Sequence, residues 1–337
     1  MKLPRLVLRP DWAVIIFASL GTGLHTTGKG ASLKPGKDCS LGSDGFIIML
    51  QSQQSPKRRS SGGGATHAKE FAVEMQGKWR RRRRLEADQD GTNAILHTYK
   101  VVDGLAARLD EPALSDVLGS NDVASVSPNC VIQLGPGDNP EPTRWNVSRT
   151  RAAPAMDEIH RQSFRNGGSQ AQPPWNLDRI DSRVGLDGTY TYGVATGRHA
   201  VVYVLDTGVR VSHSEFGGRA LPGWSAGCRE IDPTSCTSGW SHLGVAGAGC
   251  SGHGTHCASS VAGTTFGVAK ESVVVSVQVL SCSGTGSDAT VIAGIDWAVQ
   301  QATREDEPPS IISVHRPPLS FARTYTHGSL ASPLGAC

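Results

Sequence analysis

The sequence predicts an α/β protein made of two modules, and three patterns lead to that assignment. Residues 200–205 (AVVYVL) form a continuous apolar run rich in β-branched side chains, which is typical of a buried parallel strand. Further apolar strands at 272–280 and 310–314 alternate with helical patterns, as they do in an α/β domain. Residues 44–135 follow a different order of strand, helix, two strands, helix and strand, which predicts a separate α+β module.

Composition excludes several classes of protein. The 337 residues carry a net charge of +3, which is too small for a dedicated nucleic-acid binder. No apolar run approaches the ~18–20 residues that cross a bilayer, so a polytopic membrane protein is excluded. Through residue 170 there are 23 basic and 17 acidic side chains (+6), and from residue 171 there are 10 and 13 (−3). The two modules are therefore expected to attract each other.

The amino terminus and the cysteines suggest a compartment. Lys2, Arg5 and Arg9 precede an apolar run at 12–20 that has the length of a signal-peptide core. We predict that residues 1–30 are a secretory signal peptide or, on the plainer interpretation, a disordered amino terminus, and we expect a secreted protein. An even number of cysteines in such a chain favours disulfides. They stand at positions 39, 130, 228, 236, 250, 257, 282 and 337.

The first module reads as a ferredoxin-like α+β domain. Phe71, Met75 and Trp79 fall four residues apart, which places one apolar stripe on a helix. Strands are predicted at 45–50, 94–99, 105–109 and 123–126, and a second helix at 111–118. The basic run at 80–84 is predicted to be a solvated loop, with a cleavage site for a basic-specific protease as the alternative. Residues 136–172, rich in Pro, Gly and Gln, are predicted to be an exposed linker.

The second module concentrates polar residues where α/β sheets place their chemistry. Asp206 ends the apolar strand, although for this residue alone an Asx turn that closes the strand is the favoured explanation. His253 stands among small residues in GHGTH (252–256), where a helix is expected to begin. His253 and His256 could be interpreted as a metal pair, but no second ligand pair has a recognisable zinc spacing. Residues 283–286 (SGTG) lack the P-loop lysine and suit pairing with an extended peptide.

These motifs together resemble a known family. VVYVLDTGV (201–209) and GHGTHCASSVAG (252–263) are similar to the first two catalytic motifs of subtilisin-like serine proteases, peptidase family S8, and stand in the family's order. FGGRA (216–220), GVAK (267–270) and VLSCSGTGSDATVIAGIDWAV (279–299) resemble its proteinase K branch, and PWNLDRID (174–181) resembles the start of the mature enzyme. Residues 44–135 resemble the inhibitor I9-type propeptide. The resemblance implies a partial three-layer α/β/α domain with a mostly parallel sheet at 173–314.

The resemblance also implies roles for individual residues. Asp206 would orient His253, the general base, in a charge-relay endopeptidase that acts on polypeptides and is inhibited by its own propeptide. Gly284, Thr285 and Gly286 would pair with the substrate. The expected disulfides are Cys250–Cys282 and, within an insertion, Cys228–Cys236, and Cys257 would be a buried thiol behind the histidine. No cofactor is required, no nucleic-acid partner is expected, and structural calcium is common in the family, although its ligands are not identifiable here.

The chain departs from the family after Val314. No Asn follows Asn176 to donate to the oxyanion, and residues 315–318 (HRPP) replace the expected strand. Residues 328–333 (GSLASP) echo the nucleophile motif, with Ser329 at the catalytic position, but lack its Gly-Thr pair and lie in a divergent tail at 315–337. We therefore expect a truncated or inactive protease. The alternative function is a non-catalytic inhibitor, folding chaperone or pseudoprotease binding module that acts through residues 44–135.

Overall fold

The structure is a computed structural model of the 337-residue chain. It describes residues 15–17, 32–33, 39, 43–51, 64–86, 93–135, 168–229, 232, 234–247, 249–304 and 308–314. Within these ranges, no helix is both long enough and apolar enough to cross a membrane.

Two groups of elements follow one another along the chain. The first group contains β1 (Ile15–Phe17), β2 (Ser32–Leu33), β3 (Ser43–Leu50), α1 (Gly64–Glu86), β4 (Ala94–Thr98), β5 (Gly104–Arg108), α2 (Glu111–Leu118) and β6 (Val123–Gln133). The second group contains β7 (Gly168–Ala171), α3 (Trp175–Ile180), β8 (Thr189–Gly193), β9 (Val201–Asp206), β10 (Ala220–Ser225), α4 (His253–Ala262), β11 (Val273–Gln278), β12 (Thr285–Ser287), α5 (Asp288–Ala302) and β13 (Ser310–Val314). Two 3₁₀ turns also belong to the second group: Ser214–Phe216 lies between β9 and β10, and His242–Gly244 lies between β10 and α4.

The first module is an antiparallel sheet with two helices on one face. Its strands lie in the order β6, β3, β5, β4, and β2 pairs with β6. The apolar stripe of α1 packs on this sheet, with Trp79 2% exposed and Ile48 fully buried. Ile47, the neighbour of Ile48, points to the opposite face and packs against α5 of the second module. Strand β3 is therefore apolar on both faces because both faces are covered.

Two expectations for the first module were wrong. Residues 80–84 lie in the last turns of α1 rather than in a loop, since Arg is a good helix former. Arg82 is also held there by Asp116 of α2, with Nη2 2.8 Å from Oδ2. Strand β6 continues seven residues beyond Val126, although Pro128 and Asn129 suggest a turn. Pairing with β3 keeps this segment extended, so tertiary contacts override the local preference.

The second module has the predicted parallel sheet between helices. Its strands lie in the order β1, β13, β9, β11, β10, and every neighbouring pair is parallel. Val202 and Val204 of β9 pack in the cluster that contains α4, whereas Tyr203 and Leu205 pack in the cluster that contains α5. The strand is buried on both faces, which is why its sequence is a continuous apolar run.

The structure contains two strands, β1 and β7, in parts of the chain where the sequence predicted none. β7 falls at the end of the predicted linker and pairs antiparallel with β8. β1 falls in the run predicted to be a signal-peptide core and pairs in parallel with β13 through Ile15 and Ile311. The rest of the predicted signal segment and the linker at 136–167 lie outside the described residues.

Three disulfides link described residues. Cys250–Cys282 and Cys228–Cys236 are the two pairs that the sequence suggested. The third, Cys39–Cys130, spans 91 residues of the first module and was not anticipated. On a chain-entropy account, a cross-link over a loop of that length stabilises the folded module by about 4–5 kcal/mol.

The packing of α1 gives a testable expectation. Phe71→Ala removes a side chain that is 3% exposed and should lower the free energy of unfolding by about 3–5 kcal/mol, through lost burial and a cavity. Val73→Ala, on the same helix but 68% exposed, should change it by less than about 0.5 kcal/mol. Urea unfolding followed by circular dichroism compares the two variants, and equal losses would contradict this packing.

Candidate active site

Asp206 lies at the carboxyl end of β9 and is completely buried. Its Oδ1 accepts a hydrogen bond from the Thr207 backbone N–H at 2.6 Å. Its backbone oxygen accepts from the amides of Val279 and Leu280, which tie the end of β9 to the end of β11. A buried carboxylate is costly unless its oxygens are satisfied, so this side chain needs further partners.

His253 supplies the main partner. It is the first residue of α4 and is 3% exposed, and its Nδ1 lies 2.8 Å from both carboxylate oxygens of Asp206. Its backbone N–H donates to Ser251 Oγ at 3.2 Å, which fixes the start of the helix. Because Asp206 accepts at Nδ1, the neutral imidazole carries its proton on that nitrogen and its lone pair on Nε2. That tautomer suits a general base.

Small residues allow α4 to approach β9 this closely. A Cβ at Gly254 would lie 2.4 Å from the Gly208 carbonyl oxygen and 3.0 Å from Asp206 Cβ. The Gly254 N–H donates to Thr207 Oγ1 at 3.1 Å, and Thr207 Oγ1 donates to the Ser251 carbonyl at 3.4 Å. The Thr207 hydroxyl at the end of β9 therefore bonds to the residues before and within the first turn of α4.

Cys257 lies one helical turn behind His253. The thiol is buried, and its Sγ is 3.8 Å from Nδ1 and 3.9 Å from Nε2 of the ring. Among the described residues, Asp206, His253 and Cys257 form a group whose ligand atoms all lie within 4.8 Å of one another. His256 is exposed and is not a member of this group.

The strand predicted to hold substrate is occupied by the chain itself. β12 pairs antiparallel with β6, and Thr285, Gly286 and Ser287 stand opposite Gln133, Ile132 and Val131. The Leu134 N–H continues the ladder by donating to the Gly284 carbonyl at 2.9 Å. Ile132 and Leu134 are each 6% exposed and pack beside Leu280, whereas Gln133 between them is exposed.

Further contacts join the first module to α5. Asp296 Oδ1 accepts from the amides of Lys100 and Val101 at 2.8 and 2.5 Å. At the start of the helix, the Ala289 N–H donates to Asn129 Oδ1 at 2.8 Å, and Asp288 accepts from the Cys130 N–H at 3.2 Å. These four bonds involve main-chain groups, so the docking is geometrically specific.

Tyr99 is buried in the same contact. Its hydroxyl donates to the Ala289 carbonyl at 3.4 Å. Burial, with smaller contributions from the negative charges of Asp296 and Asp288, raises the pKa of Tyr99 well above its ordinary value. The hydroxyl therefore remains protonated and able to donate throughout the physiological range.

Several of these residues were missed by sequence reasoning. Thr207 and Ser251 brace Asp206 and His253, and Asn129, Asp288 and Asp296 join the modules, as described above. Asp288 directly follows Ser287, which caps the start of α5, and an acidic residue after such a cap can be recognised in the sequence. Thr207 and Ser251 stand next to Asp206 and close to His253 in the chain, but the bonds that link Thr207 to Ser251 and Gly254 join distant residues. The contacts of Asn129 and Asp296 are also long-range, and no local pattern indicates them. Ser329 lies outside the described residues.

Comparison with known proteins identifies both modules. Residues 197–313 match the Subtilase family, and residues 45–135 match the family described as Peptidase inhibitor I9. The second module is a subtilase domain. It follows an I9-type propeptide domain, in agreement with the resemblance seen in the sequence. The α/β class with a parallel sheet is confirmed as well.

Named relatives that are similar to this chain come from bacteria and fungi. An extracellular serine proteinase of Thermus sp. (strain Rt41A) is 41% identical over 170 residues, 50% of this chain and 37% of that protein. A subtilisin-like protease of Coccidioides posadasii (strain C735) is 32% identical over 215 residues, which cover 63% of this chain and 43% of that protein. The crystal structure of a cold adapted subtilisin-like serine proteinase is 38% identical, covers 42% of this chain and 45% of that chain, and has a TM-score of 0.34. The chain thus spans less than half the length of these relatives.

The close contact between α4 and β9 in the subtilase domain can be tested with two glycines. Gly254→Ala places a methyl group against backbone and should lower the free energy of unfolding by about 1–3 kcal/mol and disturb the His253 ring. Gly252→Ala, two residues earlier, meets nothing within 4 Å and should cost less than about 1 kcal/mol. Urea unfolding and the NMR shifts of the His253 ring measure both effects, and identical behaviour of the two variants would refute the close approach.

Proposed function

We propose that this protein is the precursor of a subtilisin-like serine endopeptidase, in which Asp206 and His253 are two members of the catalytic triad. The observation that supports this most directly is the buried bond from His253 Nδ1 to both oxygens of Asp206 at 2.8 Å. The bond lies at the carboxyl end of a parallel strand in a subtilase domain, where such sheets carry their chemistry.

The two residues divide the proton transfers of peptide hydrolysis. The lone pair on His253 Nε2 accepts the proton of the attacking serine hydroxyl and later delivers it to the leaving amine. Asp206 holds the ring in the required tautomer and stabilises the imidazolium that forms between these steps. Because Asp206 is fully buried, water screens this interaction little.

The nucleophile comes from outside the described residues. Ser329, in the sequence GSLASP, is the candidate nucleophile in this chain, but its motif lacks the Gly-Thr pair and no Asn follows Asn176 to donate to the oxyanion. We therefore expect the chain as given to hydrolyse peptides poorly or not at all. The proposed reaction requires no cofactor, and structural calcium remains an expectation from the family.

The substrates are polypeptides that add to β12 as an antiparallel strand. β6 occupies that edge in the precursor, with Gly286 opposite Ile132 and Leu134 bonded to Gly284. The first module accordingly acts as an intramolecular inhibitor that must leave before a substrate binds. Three disulfides suit an oxidising compartment, and together with the apolar run at 12–20 they support secretion.

Hydrolysis of a peptide substrate tests the assignment of the base. Any hydrolysis that the chain catalyses once the first module has been displaced should disappear in His253→Ala and fall strongly in Asp206→Asn, since each removes a proton-transfer or orienting role. In a complete triad the corresponding losses in kcat are about 10⁶-fold and about 10⁴-fold. His256→Ala changes an exposed residue of the same helix and should leave kcat unaltered. Hydrolysis that survives in the His253 variant would overturn the proposal.

Covalent labelling tests the nucleophile separately. A fluorophosphonate probe should modify Ser329, as located by peptide mapping, and the labelling should disappear in His253→Ala and Ser329→Ala but persist in His256→Ala. Labelling of a different serine, or of none, would refute the assignment of Ser329 without affecting that of Asp206 and His253.

A further inference from the structure

The Cys39–Cys130 disulfide is attached to β6 at the point where that strand stops pairing with β3 and starts pairing with β12. Cys130 stands opposite Ser43, the first residue of β3. The next residue, Val131, already pairs with Ser287 of β12. Cys130 is therefore the residue of β6 that pairs with β3 directly before the segment that covers β12.

The ladder that should hold this joint is irregular. Between the pairs Ser43–Cys130 and Phe46–Pro128, the register of β3 against β6 shifts. Pro128, which stands opposite Phe46, has no N–H and can donate no main-chain hydrogen bond at this position. Asn129 compensates in part, since its side-chain amide donates to the Asp44 carbonyl at 3.0 Å. The disulfide from Cys130 to Cys39 adds a covalent bond at this irregular end of the ladder.

The same part of β6 also forms hydrogen bonds to the start of α5. The adjacent Asn129 and Cys130 provide the bonds to Ala289 and Asp288 at the start of that helix. Displacement of Cys130 therefore affects both the helix cap and the strand pairing that follows it.

We propose that the Cys39–Cys130 disulfide is a redox-sensitive latch, whose reduction releases residues 131–134 from β12 and opens the substrate edge. The interpretation of the released edge as a substrate edge rests on the proposed function, whereas the release itself does not. In the oxidised protein the latch keeps the precursor inhibited, and a thiol reductant becomes a signal for activation.

The chemistry is ordinary thiol–disulfide exchange. A thiolate of a low-molecular-weight or protein dithiol attacks one sulfur of the pair, forms a mixed disulfide and expels the other cysteine as a thiolate. The second thiol of the reductant then attacks the mixed disulfide. The cysteine pair gains two electrons and two protons, and the dithiol is oxidised to a disulfide. Both cysteines are half-buried rather than enclosed, so a reductant can reach them.

Hydrogen exchange on the full chain measures the release directly. The Leu134 amide reports on the covered edge because it donates across the modules to Gly284, whereas the Ile48 amide reports on the interior of the first module. Reduction of Cys39–Cys130, followed by alkylation and verified by mass spectrometry, should accelerate exchange at Leu134 at least ten-fold and leave Ile48 protected.

Paired cysteine variants provide the matched control. The double variant Cys39→Ser with Cys130→Ser should exchange at Leu134 like the reduced protein. Cys228→Ser with Cys236→Ser removes a disulfide that spans only eight residues of the second module, and it should exchange like the oxidised protein.

Two results would overturn the latch. Unchanged exchange at Leu134 after verified reduction would show that the disulfide does not hold the strand. Equal loss of protection at Leu134 and Ile48 would show unfolding of the whole module rather than local release. Because exchange is measured without any substrate, a failure of the proposed protease activity leaves this test intact.

Discussion

The burial of one carboxylate determines much of the second module. Asp206 has no contact with water, so its oxygens must be satisfied within the protein, and His253 Nδ1 and the Thr207 amide do so. For the ring to reach it, α4 must begin directly beside the end of β9, which requires a residue without a side chain at Gly254. The same constraint explains why polar contacts of Thr207 and Ser251 surround an otherwise apolar junction.

A second constraint arises at the edge of a strand. An open edge exposes unpaired main-chain groups that readily accept another strand. In this chain β6 fills that position on β12, and the opposite face of the propeptide sheet packs its Ile47 and Tyr99 against α5. The small first module therefore covers both an edge and a helix face of the second module, as the proposed inhibition requires.

The opposite net charges of the two modules suggested electrostatic attraction, but the contacts described above are of another kind. Asp288 and Asp296 accept hydrogen bonds from backbone amides, and Asn129 accepts from a helix amide. Net charge influences how fast surfaces meet, whereas such bonds fix their register. Counting charged residues therefore predicted an association of the modules without identifying the groups that form it.

Local patterns identified most of the elements because the physics behind them is local. The four-residue spacing of Phe71, Met75 and Trp79 indicated α1, and the apolar run before Asp206 indicated β9. Two predictions failed for different reasons. At residues 80–84 the local helix preference of Arg was overlooked, and the contact of Arg82 with Asp116 adds to it. In the extension of β6 a partner distant in sequence, β3, sets the conformation.

The sequence by itself determined the two modules, the α/β class, the positions of Asp206 and His253, and the family that they resemble. These features depend on residue type and on short spacings along the chain. Only the tertiary structure decided that Nδ1 of His253 reaches both oxygens of Asp206, that β6 covers β12, and that Cys39 joins Cys130. Each of these depends on distances between residues that are at least 47 positions apart in the chain, and such distances are set by how the sheets and helices pack.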